Sequence, residues 1–589
     1  MFLREVKRTN RNGTQVSYLQ LVHNDWDSAA RTSRTKILYS FGRTDQVDTA
    51  AIERLIGSLS RLLDPVAALR ATAGSDLSLL CSRALGGTDV LDGLWRRLGI
   101  DATMNRLLAG RRVSSPFERV CFGLVANRAL APSSKLAAAD WISSDVHIEG
   151  LDEVSDDVCY RAMDWLGEVR EPLEKEVFHQ VANLLNLEVD LLFFDTTSTY
   201  FELERADEPV ARDPRGHRQA PPTDTDTAGA ADTNADGGDG GDGGDGGDAQ
   251  GGVGFRTWGK SKDSRDDLPQ IVIGMAVTRE GIPVRCWCWP GNTSDSALIR
   301  QVKDDMRDWT LSRIVWVADR GFSSAANRRY LRRGDHHYII GEKLRSDSAE
   351  VTAALSRQGR YTEIADNMRV KEVKISDDER FVICHNPDAA ERDAHVRAQL
   401  LDQLRELIDG SDAWSAHKRG ELAGKISAKP GLNRYLRTTA GGKLRIDAAK
   451  VKSEANLDGK YLLRASDPTL SAADIATGYK QLLEVERGWR DMKQILDLRP
   501  VYHRLEERIR AHVLLCWLAL LLIRIAETTT GRTWPAMRRE LVRLHAVTYT
   551  GPTGTFRQTT EPTKPHTDLY AQLGLPLPKK IIEITPATG

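Results

Sequence analysis

Leu187 to Glu202 reads LEVDLLFFDTTSTYFE. A short run this rich in Leu and Phe predicts a buried strand, yet Asp195 sits in its middle. A carboxylate on a buried strand is costly unless it is paired, protonated or bound to a cation. A second stretch, RIVWVADRGF from Arg313 to Phe322, is another predicted strand and ends on Asp319. Each acid also has a purely structural reading: Asp195 could cap a turn and Asp319 could pair with Arg320.

Between the two acids, PQIVIGMAV and IPVRCWCWPGN predict two strands joined through Arg279-Glu280-Gly281, and SDSALIRQVKDDMRDW predicts a helix. A further helix is predicted from about Ala472 to Leu496, with YKQLLEVERGWRDMK at its centre. On a continuous helix Tyr479, Glu486 and Lys493 are each seven apart and share one face, with Arg490 four residues after Glu486. Strand order β-β-β-α-β, with Asp on the first and fourth strands and an acid on a later helix, is the ribonuclease-H-like layout of an α/β fold. Asp195, Asp319 and Glu486 clustered in this way can hold two Mg²⁺ ions about 3.5–4 Å apart. An ordinary salt-bridged surface helix carries a similar charge stripe.

The segment after the first predicted strand offers a competing motif. GFRTWGKS, Gly254 to Ser261, matches the phosphate-loop pattern G-x-x-x-x-G-K-[ST] letter for letter. That loop works only between a buried strand and a helix, whose N-terminal N–H groups hold the phosphates. Here GGDGGDGGDGGDAQGGV precedes it and KDSRDDLPQ follows, so neither flank fits and no nucleotide is expected. The low-complexity stretch from about Arg205 to Val253 predicts a disordered, solvated loop. Asp224, Asp226, Asp232, Asp236, Asp239, Asp242, Asp245 and Asp248 fall within it, with no Lys or Arg between the first and the last of them. The formal net charge of -1 therefore hides a basic body, which suits a polyanionic partner.

The 589 residues allow three or four domains, and 41% hydrophobic with 28% charged residues is ordinary for a globular protein. Seven dispersed cysteines fit a reducing cytoplasm. Cys286 and Cys288 alternate with Trp287 and Trp289 and lack a second ligand pair, so they predict small core residues rather than zinc ligands. The N-terminus lacks an apolar signal core. VLLCWLALLLI, Val513 to Ile523, is shorter than the ~20 residues of a membrane span and predicts a buried core helix. We expect residues 1–47 to form a β-hairpin region turning at Asn12-Gly13, and 48–187 a helical, DNA-binding domain. In the latter, Pro132-Ser133-Ser134 caps KLAAADWI in a helix–turn–helix-like arrangement, which a plain helical bundle would explain equally. Residues 188–327 and 461–530 are expected to be the two parts of the core, 328–460 a separate β-containing insertion, and 531–589 part of a helical C-terminal region.

The sequence resembles bacterial insertion-sequence transposases of the DDE class, in the group with the signature Tyr-x2-Arg-x3-Glu-x6-Lys. Tyr479, Glu486 and Lys493 match at the required spacing, while Leu482 stands at the Arg position, with Arg487 and Arg490 nearby. The blocks APSSKLA, FFDTTSTYFE, GKSKDSRDDLPQIVIG, PGNTSD, VADRGFSS, DGKYLLRAS and RPVYHRLEERIRAHVLLCWLALLL extend the resemblance over most of the chain. It implies Asp195, Asp319 and Glu486 as catalytic metal ligands for Mg²⁺ or Mn²⁺, and Tyr479, Arg490 and Lys493 as contacts to transposon-end phosphates. Lys260, Lys262 and Arg265 are candidates for DNA-backbone contacts. Implied partners are terminal inverted repeats and target DNA, bound by a homodimer in the bacterial cytoplasm, nucleoid-associated when on DNA, without membrane or nucleotide. The alternatives are a nuclease of the same fold that does not join strands, and an inactive DNA-binding relative.

Overall fold

The computed structural model describes residues 2–9, 15–27, 32–44, 78–111, 116–185, 191–213, 215–219, 252–307, 309, 313–345, 348–375, 380–551 and 554–586. They fall into two compact units, 188–487 and the combination of 1–187 with 488–589.

The 188–487 unit is built on one mixed sheet. Its strands are β1 (Leu191–Tyr200), β2 (Gln270–Val277), β3 (Pro283–Pro290), β4 (Val315–Ala318), β5 (His337–Glu342), β6 (Thr362–Ala365), β7 (Met368–Lys374), β8 (Arg380–His385) and β9 (Lys460–Ala465). Their spatial order is β6-β7-β8-β9-β5-β4-β1-β2-β3. β1, β4 and β5 run parallel, and β2 and β3 continue antiparallel from β1. The five strands β3-β2-β1-β4-β5, in that order and with those directions, are a ribonuclease-H-like core. Every residue of β2 and β3 is buried, as expected of strands covered on both faces. Trp287 and Trp289 stack at 6.2 Å, and Cys286 and Cys288 are buried free thiols.

Residues 328–460 do not stand apart as a separate insertion. They contain β5, the fifth core strand, and β6, β7 and β8, which β9 joins to the core edge by pairing with both β8 and β5. Physically, an open edge at β5 presents unpaired N–H and C=O groups, and added strands satisfy them. Leu401, Leu404, Ile426, Leu432 and Tyr435 form a hydrophobic cluster of their own, and Val351, Ala354, Val373, Phe381, Ile383 and Leu462 form another against the sheet.

The expected continuous helix from Ala472 is also divided. A capping box between Ser471 and Asp474 opens α2 (Ala472–Lys480), and α3 (Leu483–Gln494) follows after a break at Gln481-Leu482. There the Leu482 N–H donates to the Tyr479 carbonyl at 3.0 Å, a tighter bond than the α-helical one. Gly478 lets α2 approach β1 and β5 closely, because a Cβ there would lie 3.0 Å from Leu191 Cδ1 and 3.7 Å from Ile339 Cδ1.

In the other unit, Phe2–Thr9, Gln15–Asp27 and Thr32–Arg43 form a three-stranded antiparallel sheet. The Asn12-Gly13 turn and the first part of the expected helical domain, residues 48–77, lie outside the described residues. The Phe117–Leu130 helix is buried on nearly every side, and Ser134 caps Lys135–Ser144 by accepting from the Ala137 N–H. This buried pairing is that of a bundle core. Glu506–Thr530 is long and apolar enough to cross a membrane, but it is wholly buried from Ile509 to Glu527. The C-terminal region is not simply helical. His545–Gly551, Gly554–Thr559 and Ile581–Pro586 form a four-stranded sheet with Ser78–Ala84. Helical periodicity through most of 48–187 hides that one strand, whose partners lie more than four hundred residues away.

Residues 220–251, including all eight aspartates of the Gly/Asp stretch, lie outside the described residues. The ends of the 205–253 stretch are ordered, contrary to expectation. Val210 and Val253 exchange backbone hydrogen bonds, and Asp207 and Arg256 pair at 2.5 Å. The neck closes because these residues find partners that the Gly/Asp repeat cannot supply. We predict that deleting residues 223–249 leaves the unfolding midpoint within ~2 °C, since shortening a long loop changes closure entropy little. Thermal unfolding checks this; a loss of more than ~5 °C, equivalent to ~1–2 kcal/mol, would show that the stretch contributes to the fold.

Candidate active site

The parallel registers bring the site together. Phe194 pairs with Ala318 and Ala318 with Ile340, so the next residue on each strand extends one row: Asp195, Asp319 and Gly341. Residues in one row of a parallel sheet project from the same face, and neighbouring strands lie ~4.8 Å apart. Two carboxylates thus start from adjacent strands. Asp319 marks the end of β4 and the start of the Arg320–Phe322 turn. A cavity of about 370 Å³ is lined by Asp195, Asp319, Glu486, Tyr479, Tyr461 and Leu482, among others.

Tyr479 closes one side. Its hydroxyl donates to Asp319 Oδ1 at 3.2 Å, and its ring stacks on Tyr461 with centroids 6.1 Å apart. Burial, then the neighbouring Asp319 carboxylate, raises the Tyr479 pKa and keeps the hydroxyl protonated. Gly341 makes this possible, because a Cβ there would lie 2.4 Å from the Tyr479 hydroxyl oxygen and 3.1 Å from Cζ. The helix break puts Tyr479 near the end of α2 and Glu486 in the first turn of α3, so they share a cavity rather than a helical stripe. Arg490 and Lys493 lie further along α3, beyond residue 488, where the other unit begins.

Lys262 is turned inward. Its ammonium donates to the Thr196 carbonyl at 2.6 Å and to Thr196 Oγ1 at 2.5 Å. It also lies 3.2 Å from Asp295 Oδ2 and 3.9 Å from Asp195 Oδ1. Thr196 Oγ1 in turn donates to Asp295 Oδ1 at 2.9 Å. Burial pushes the Asp195 carboxyl up to about 6, Lys262 and the Thr196 N–H pull it down, and Asp319 and Asp295 add to the rise. Lys260 is exposed, while Arg265 pairs with Asp267 at 2.8 Å and lies 5.2 Å from the Tyr200 ring centroid. Neither lines the cavity.

Asp295, Tyr461 and Thr196 were not singled out by sequence reasoning. Asp295 sits in the first turn of α1 (Asp295–Asp305), where an acid is ordinarily read as complementing the helix dipole. The PGNTSD block offered the available signal. Among the described residues, no three Asp, Glu, His or Cys side chains converge closely enough to hold an ion as they stand. The donor set is nevertheless all oxygen, from three carboxylates on one cavity, and suits a hard divalent cation.

Residues 251–522 match the family of transposase DDE domains, and residues 3–69 match the N-terminal domain of IS1634 family transposases. The chain belongs to the DDE transposases of insertion sequences. The DDE match takes in Asp319 and Glu486 of this transposase and begins after Asp195. No curated protein matches the chain. A cryo-EM structure of a piggyBac transposase synaptic complex with hairpin DNA is similar at 12% identity, covering 77% of this chain and 79% of that one, with a TM-score of 0.33.

We predict that Gly341→Ala lowers the transposase's stability by ~1–3 kcal/mol, because the added methyl meets the Tyr479 hydroxyl. Tyr479→Phe in the same chain should restore at least half of the loss. Denaturant unfolding of the two variants checks this. A fully stable Gly341→Ala protein would show that Tyr479 does not need the close approach.

Proposed function

We propose that this transposase binds the terminal inverted repeats of its element, cleaves DNA strands with water as nucleophile, and joins the freed 3′-OH to target DNA. The observation that carries the reading is one cavity lined by Asp195, Asp319 and Glu486 on a ribonuclease-H-like core. When bound there, divalent cations, Mg²⁺ or Mn²⁺ and two per site, would supply Lewis acidity to the attacking and leaving oxygens of phosphoryl transfer. Asp195, Asp319 and Glu486 would hold them.

The remaining work falls to the chain's own groups. Tyr479 orients the Asp319 carboxylate by donating to one of its oxygens, leaving the other oxygen for a ligand. Lys260 and Arg265, on the lead-in to β2, would meet DNA phosphates, which positions the duplex without reading its sequence. Arg490 and Lys493 would hold the transposon-end phosphates, as the signature implies, and a homodimer would bring two ends together. A basic body of this kind favours DNA through release of condensed counterions.

Asp195→Ala, Asp319→Ala and Glu486→Ala should each reduce metal-dependent cleavage of plasmid carrying the inverted repeats by ~10³-fold or more. DNA affinity should stay within ~3-fold, since it comes mostly from Lys and Arg on phosphates. Cleavage near the parent level in any one variant would remove that residue from the site. Recovery of joined products would distinguish a transposase from a nuclease.

A further inference from the structure

Lys262 occupies a place that a DNA-backbone contact would not need. Its own N–H donates to Ser198 Oγ at 2.8 Å, which ties the lead-in segment to β1. The segment is braced internally, with the Ser261 N–H on Asp266 at 2.6 Å and the Asp263 N–H on Ser261 Oγ at 3.2 Å. Ser264 holds the turn at a positive φ of 57°. From that fixed start the side chain runs back to β1. Two oxygens of Thr196 and one of Asp295 lie nearer the ammonium than the Asp195 carboxylate does. An ammonium has three donors, and these three oxygens match that number. Lys262 therefore acts on Asp195 through its charge and leaves the carboxylate's lone pairs open.

We propose that Lys262, anchored by Thr196 and Asp295, is the resident counter-cation of Asp195, and that a divalent cation at Asp195 binds in competition with it. Lys262 and Asp295 are thus positioning residues for Asp195. The inference rests on the reading of Asp195 as a metal ligand. The reason is electrostatic: a positive charge held 3.9 Å from a ligand oxygen opposes a second cation there. The same charge stabilises the part-buried Asp195 carboxylate when no metal is present. It also accounts for three acids lining a cavity without converging, because one of them already has a cation beside it.

The test is Mn²⁺ binding to the full chain without DNA, followed by calorimetry or by the paramagnetic signal of free Mn²⁺. Lys262→Met should bind about tenfold more tightly than the parent, and Lys262→Arg, which keeps the charge, should stay within about threefold of it. The direction is diagnostic, since a variant that merely disturbed the fold would bind more weakly. Thermal unfolding of both variants confirms that they fold. Equal affinity of the parent and Lys262→Met, or weaker binding by a folded Lys262→Met, overturns the inference while leaving the carboxylate assignment standing. Undiminished binding by Asp195→Ala overturns the assignment of Asp195 itself, and the inference with it.

Discussion

The parallel register of β1, β4 and β5 is the constraint on which the rest of the site depends. It starts Asp195 and Asp319 from neighbouring strands on one face of the sheet and puts Gly341 third in the row. Once that row exists, two like charges share a poorly solvated region, and every other group around them answers the resulting free-energy cost. Asp195 shows the cost directly, its pKa being raised first by burial and then by its acidic neighbours. A sheet slipped by one residue would turn both carboxylates to the opposite face. The place of the aspartate in LLFFDTT and VWVADRG therefore specifies the site together with the strand register.

Two different solutions meet the two carboxylates. Asp319 receives a neutral donor, the Tyr479 hydroxyl, admitted by the absence of a side chain at Gly341. Asp195 receives a charge, the Lys262 ammonium, which is itself shared with Asp295 and Thr196. A neutral hydrogen bond brings no opposite charge, whereas a nearby cation offsets repulsion between neighbouring carboxylates. The asymmetry gives one row of acids two kinds of environment.

Much of this was legible in the sequence because it rests on local pattern. Asp195 and Asp319 stand out as charges in short apolar runs, and Glu486 through its spacing from Tyr479 and Lys493. What escaped depends on partners distant in sequence. That β8, β9 and β5 pair edge to edge is invisible to periodicity, which gives strands but not neighbours. Lys262 reads as one basic residue in a polar loop, and only the fixed turn that carries it reveals its inward course. The helix break at Gln481-Leu482 has no Gly or Pro to announce it. Residues Leu482 and Leu483 look like ordinary helical positions until the cavity that they line is present.

Leu482 shows how these pieces bear on one another. Where the signature group carries an arginine, this chain places a buried leucine against the carboxylate cavity. An apolar wall removes one possible counter-charge and also lowers the local dielectric, which strengthens every charge interaction that remains. Lys262 brings an ammonium towards Asp195 from the lead-in to β2. Three carboxylates, Asp195, Asp319 and Glu486, line the cavity with one ammonium, Lys480, while Lys262 is shared with Asp295 outside it, so the cavity keeps an acidic excess. On the transposase reading, substrate phosphate and divalent metal would therefore favour each other's binding, and the leucine wall would sharpen that dependence.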